Sequence, residues 1–197
     1  MQRSFDFDYL AQLFPKKREF GLSWAKKIAV KKIGKKVLVK KSKNEAFIRE
    51  AIRLARQNVK SGRGGPFGCV VVHKGSIIAK GQNSVTRTND PSAHAEIVAI
   101  RKACKKLKSF QLKNCIVVSS CEPCPMCLGA IYWARPRALV FASSKKDAAE
   151  VGFDDDYIYE ELRKKYSDRK LKTIQEIHPT HLIPFQEWKS NHHKIRY

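Results

Sequence analysis

His94-Ala95-Glu96 and Pro123-Cys124-Pro125-Met126-Cys127 stand 29 residues apart, counted between His94 and Cys124, and each opens a run of helical spacing. Ile97, Val98, Ile100, Arg101 and Cys104 carry the first helix to about Leu107. Pro123 to Ala134 reads as a short apolar helix that Pro136 stops. Between them Cys115-Ile-Val-Val118 is a buried strand by composition, and Ala138-Leu-Val-Phe141 is a further one. Upstream, Asn44 suits an N-cap, with Phe47, Ile48, Ala51, Ile52, Ala55 and Val59 defining a helix over residues 45–60. Ser61 to Gly68 (SGRGGPFG) is loop, and the apolar runs Cys69 to Val72 and Ile77 to Ala79 form a hairpin about a Gly turn. Further on, Ile158 to Lys165 reads as helix, Leu171 to Ile177 as strand and Pro184 to His193 as a terminal helix. Strands alternating with helices mean an α/β layered fold with a partly parallel sheet.

The chemistry of the two segments is that of a metal site. Cys124 and Cys127, three apart, are neighbours on a helix. At its N-terminus the helix dipole favours the thiolates that metal binding needs. Two thiolates and an imidazole give Zn²⁺ three protein ligands and leave a fourth position for water, whose pKa then falls to about 7. Glu96 is placed to handle that water's proton. Helical periodicity puts residues two apart on different sides, so His94 and Glu96 share one site only at an irregular first turn. Two other readings exist. Cys121, three before Cys124, would make a closed Cys₃His structural site, and a redox Cys-x-x-Cys would leave His-x-Glu unexplained.

Charge divides the chain. The 197 residues carry a formal net charge of +22; residues 1–44 hold 13 Lys+Arg against three Asp+Glu, a net of +10. Lys26 to Lys43 (KKIAVKKIGKKVLVKKSK) repeats Lys pairs between aliphatic residues, a basic amphipathic pattern that suits contact with RNA or an anionic membrane surface, or else a solvated, partly disordered tail. Its Lys-rich character with Asp6, Asp8 and Glu19 argues against a mitochondrial presequence. With no run of 18 apolar residues, no secretory signal pattern and six sparse cysteines, the expectation is a cytoplasmic protein with reduced thiols.

The paired His-x-Glu and Pro-Cys-x-x-Cys segments resemble the zinc-dependent base deaminases of the cytidine-deaminase-like superfamily. Further stretches resemble the bacterial-type guanine deaminases within it: GGPFG (64–68), GQNSVTRTNDPSAHAE (81–96), SCEPCPMCLGAIYWARP (120–136), DAAEVGFDDDYIY (147–159) and PFQEWKSNHHKIRY (184–197). The likeness spans residues 45–197 and leaves residues 1–44 as a basic extension. It implies a three-layer α-β-α fold with a mixed five-stranded sheet and one zinc per chain, held by His94, Cys124 and Cys127. The implied reaction is hydrolytic deamination of guanine to xanthine and ammonia, zinc hydroxide attacking C2 with Glu96 as proton shuttle. Asn83, Asp155 and Tyr197 would then hydrogen-bond the purine between walls formed by Phe67, Trp133 and Phe153. The resemblance also implies a homodimer, domain-swapped so that one C-terminal segment caps the partner's pocket.

Three alternatives remain open to the sequence. A tRNA wobble-adenosine deaminase would use the positive charge, though a capped pocket excludes an RNA loop. Guanosine or another nucleobase would suit the same chemistry. A non-catalytic nucleic-acid-binding protein on the same scaffold is disfavoured because His94, Glu96, Cys124 and Cys127 are all present.

Overall fold

The computed structural model describes residues 43–197. Residues 1–42, and with them the amphipathic reading of the extension, lie outside the described residues. The elements run α1 (Glu45–Lys60), β1 (Gly68–His73), β2 (Ser76–Gln82), α2 (Val85–Thr88), α3 (Ala95–Leu107), β3 (Cys115–Cys121), α4 (Pro125–Ala134), β4 (Ala138–Ser143), α5 (Lys145–Ala149), α6 (Asp156–Arg163), a 3₁₀ turn (Tyr166–Asp168) and α7 (Ile183–Ser190).

Side chains alternate across a strand, so β1 presents Cys69 and Val71 to one face and Val70 and Val72 to the other. All four are buried, and a strand apolar on both sides needs a layer on each. Val70 and Val72 pack with Val118 and with Leu54 of α1. Cys69 and Val71 pack with Val117, with the Ala95, Ala99 and Ala103 stripe of α3, and with Ile131 and Ala134 of α4. The result is helix, sheet, helix in three layers. Strand order is β2-β1-β3-β4, with β1 antiparallel to both neighbours and β3 parallel to β4. Parallel strands require a crossover, and α4 supplies it.

The sheet has four strands, not the expected five. The segment read as a further strand, Leu171 to Ile177, forms no ladder. Its apolar residues explain why: Leu171 and Ile177 share one parity and Ile174 has the other, so neither face of a strand would be apolar. All three are exposed. The unanticipated α5 has a legible signal in retrospect, because Ser144 and Asp147 form a reciprocal capping box. No helix among the described residues is long and apolar enough to cross a membrane.

Two glycines set how close the helical layers lie. A Cβ on Gly68 would strike Ala51 O and Ala55 N of α1, and one on Gly81 would strike Ala95 O and Ala99 N of α3. Each glycine faces alanines, so backbone approaches backbone. Because α3 carries Glu96, the seat at Gly81 also fixes the site. Gly81→Ala is therefore expected to lower unfolding free energy by about 1–3 kcal/mol or more through overpacking. Urea denaturation checks it, and an unchanged midpoint would show that α3 is not seated on this glycine.

Candidate active site

α3 and α4 begin side by side, and the residue before each is extended rather than helical. His94 has φ −66° and ψ 158°; Cys124 has φ −64° and ψ 168°. This answers the periodicity problem in His-x-Glu: His94 lies outside the helical register, and Glu96 lies within the first turn. Pro125 at the first helical position has no N–H to satisfy, and Cys124 Sγ accepts from Cys127 N at 3.5 Å.

His94 Nδ1 lies 3.5 Å from both Cys124 Sγ and Cys127 Sγ, and the three donor atoms fall within 4.8 Å of one another. Sulfur at about 2.3 Å and nitrogen at about 2.05 Å from a tetrahedral zinc stand about 3.6 Å apart. The donor set and its spacing therefore fit zinc. Cys121 is not among these donors; its Sγ lies 3.5 Å from Ser144 O at the end of β3. The closed Cys₃His reading accordingly finds no support in the geometry.

Electrostatics prepares the cluster for a cation. Cys127 S–H donation, helped by His94, draws the Cys124 thiol down to about 4 despite its burial. The same pairing pushes the Cys127 thiol well up. The Cys124 thiolate in turn raises His94. Glu96 is 5% exposed, and burial raises its carboxyl, while donation from Ser119 opposes that shift. Ser119 Oγ lies 2.5 Å from Glu96 Oε1, and Cys127 Sγ lies 3.4 Å from Oε2.

A cavity of about 440 Å³ opens onto this cluster, lined by Phe67, Asn83, His94, Glu96, Cys124, Phe153 and Asp155 among others. Phe67 and Phe153 meet edge to face, centroids 4.9 Å apart. Desolvation, then the Cys124 thiolate, raises the Asp155 carboxyl. Most of the residues singled out by sequence thus line one space. Trp133 and Tyr197 do not: their rings lie 5.9 Å apart, with Phe110 6.4 Å from Tyr197, beside a separate cavity of about 770 Å³.

Two supporting residues escaped the sequence reading. Asn58 Nδ2 donates to Gly65 O and Asn83 O, both at 2.9 Å, tying α1 to the glycine loop and to Asn83. Its signal is a buried amide seven residues after Ala51, on the apolar stripe of α1. Ser119 sits in a strand and belongs to no motif, so only the folded pairing with Glu96 exposes it.

Residues 41–143 match the model of the cytidine and deoxycytidylate deaminase zinc-binding region. The chain belongs to that deaminase family. It is 54% identical to the guanine deaminase of Bacillus subtilis over 154 residues, 78% of this chain and 99% of the relative. The crystal structure of that deaminase superposes with a TM-score of 0.76, covering 78% of this chain and 98% of the other. The guanine deaminase of Nitrosomonas europaea is 37% identical, with a TM-score of 0.54, over 56% of this chain and 64% of that one. The tRNA-specific adenosine deaminase of Aquifex aeolicus is 37% identical over 102 residues, 52% of this chain and 67% of the relative.

Proposed function

We propose that residues 45–197 form a zinc-dependent deaminase that hydrolyses guanine to xanthine and ammonia. The observation that carries the reading is one cavity in which Asn83, Asp155, Phe67 and Phe153 face the His94, Cys124, Cys127 and Glu96 cluster. The extent of the match to the Bacillus subtilis guanine deaminase, against half of the chain for the tRNA deaminase, favours the free base over an anticodon.

One zinc, held by His94, Cys124 and Cys127, would supply the Lewis acidity that makes water a nucleophile near neutral pH. Phe67 and Phe153 give the purine apolar walls. The Asp155 carboxylate accepts from ring N–H donors, and the Asn83 amide both donates and accepts along the base edge. Ser119 Oγ donates to Glu96 Oε1, and Oε2, which lies beside Cys127 Sγ of the metal donors, is the proton-carrying oxygen. Oε2 takes one proton of the water and delivers it to the ring nitrogen, then carries the second, from the new C2 hydroxyl, to the departing amine as C2=O forms. The C2–O bond forms, the C2–N bond breaks, and ammonia leaves. Six free cysteines accord with a reducing, cytoplasmic setting.

Trp133 and Tyr197 fit this scheme through a second copy of the chain. Trp133 is 63% exposed and Tyr197 68%, and Phe185 and Ile195 of the same terminal stretch as Tyr197 are exposed as well. So much apolar surface on a C-terminal segment is what a swapped homodimer would bury, each segment capping the partner's pocket. Deleting residues 193–197 should lower kcat/KM for guanine by about 10² while zinc content stays unchanged, measured by xanthine formation and metal analysis. Full activity in the truncated protein would remove the capping role. Inosine formed in an anticodon stem-loop, with guanine untouched, would overturn the substrate assignment itself.

A further inference from the structure

The end of the domain remote from the metal donors is basic. α3 and α4 start at those donors and run to it through 13 and 10 residues, about 20 and 15 Å. There Leu112 N donates to Ala134 O, Arg137 N donates to Cys115 O, and Cys115 pairs with His73 across the sheet. These bonds gather the α3–β3 loop, the α4–β4 turn and the β1–β2 turn at one end. The three connections carry Lys74, Lys108, Lys113, Arg135 and Arg137, and no Asp or Glu. All five are exposed, and among the described residues none takes part in an ion pair.

Three of these cations occupy backbone positions that suit glycine. Lys74, Lys108 and Arg135 have φ of 48°, 49° and 51°. Lys108 closes α3 and Arg135 closes α4 through paired bonds from the cap N–H, the arrangement in which glycine is the usual residue. A helix dipole favours a cation at a C-terminus, which accounts for one charge on each of two helices. It does not reach Lys74 in a hairpin turn, Lys113 ahead of β3 or Arg137 ahead of β4. Phe47 and Ile48, near the start of α1, pack against the buried cluster that holds Val72.

We propose that this basic end docks single-stranded nucleic acid, apart from the catalytic cavity. Exposed cations with no ion pair among the described residues, on connections that carry no acid, match a polyphosphate backbone. Tyr132, 75% exposed in the last turn of α4 before Arg135, offers a ring on which a base stacks, and Phe110, between Lys108 and Lys113, is half exposed beside Tyr197. A lipid surface fits less well, because α3 and α4 meet this end with their C-termini and lay no apolar helix face along it.

The test uses the full chain and a fluorescent 20-nucleotide polyuridine, with anisotropy read between 50 and 200 mM salt. The variant combines Lys108→Gly and Arg135→Gly with Lys74→Gln, Lys113→Gln and Arg137→Gln. Glycine suits the first two positions, so melting temperature and guanine turnover should hold. The slope of log affinity against log salt should fall by about 0.7 for each phosphate that the variant no longer neutralises. No binding by the wild type would overturn the proposal. So would equal slopes for the two proteins, which would place the binding on other cations of the chain. Loss of binding to phosphatidylserine–phosphatidylcholine vesicles with polyuridine binding intact would replace it with a membrane role.

Discussion

Glu96→Gln is expected to bind zinc as the wild type does and to lose guanine turnover by at least about 10²–10⁴, the range for a general acid–base group. The carboxylate is not one of the three metal donors, and its Oε1 accepts a hydrogen bond from Ser119 Oγ. An amide keeps that acceptor, so the strand-to-helix hydrogen bond survives. What it loses is the capacity to take up and release a proton at the second position. The loss should therefore fall in kcat, with KM for guanine close to wild type, because the residues proposed to grip the base are untouched. Metal analysis and steady-state xanthine formation check both halves. Turnover within tenfold of wild type would mean that another group carries the proton, and Glu96 would keep only its bonds to Ser119 and Cys127.

The metal cluster was legible before folding because its information is local. Two spacings and two helix starts suffice, and the extended caps at His94 and Cys124 remove the one geometric objection. The layers were legible from β1, whose unbroken Cys69 to Val72 run needs cover on both faces. The number of strands was not: Leu171 to Ile177 has strand-like residues, but their apolar positions fall on opposite parities. Ser119 illustrates another limit. A serine in a buried strand carries no spacing signal, and its pairing with Glu96 across 23 residues exists only after α3 lies on the sheet. Asn58 lies between these cases, because a polar residue on an apolar helical stripe marks a buried hydrogen bond without naming its partner. Trp133 and Tyr197 mark a third limit: their rings lie together beside a separate cavity, so one chain alone does not bring them to the metal cluster.

Cys124→Ala is expected to lose bound metal and thermal stability together. Cys124 precedes α4, His94 precedes α3, and Cys127 lies in the first turn of α4, so the donor set joins the two helices at their starts. Metal binding to such a set contributes directly to folding free energy. Removing one of the three proposed ligands should also remove the charge that draws the cation, since the Cys127 thiol and His94 hold the Cys124 thiol down to about 4. A second loss adds to this: Cys124 Sγ accepts from Cys127 N, and deleting an N-cap acceptor costs about 1 kcal/mol. The variant should therefore melt at or slightly below the temperature of chelator-treated wild type, and chelator should shift it no further. Thermal scans with and without chelator, paired with zinc stoichiometry, separate the two contributions. A variant that retained full zinc would refute the His94, Cys124 and Cys127 coordination. Zinc lost without a fall in melting temperature would show that α3 and α4 are held by the Gly81 seat and the alanine stripe, with the metal serving chemistry alone.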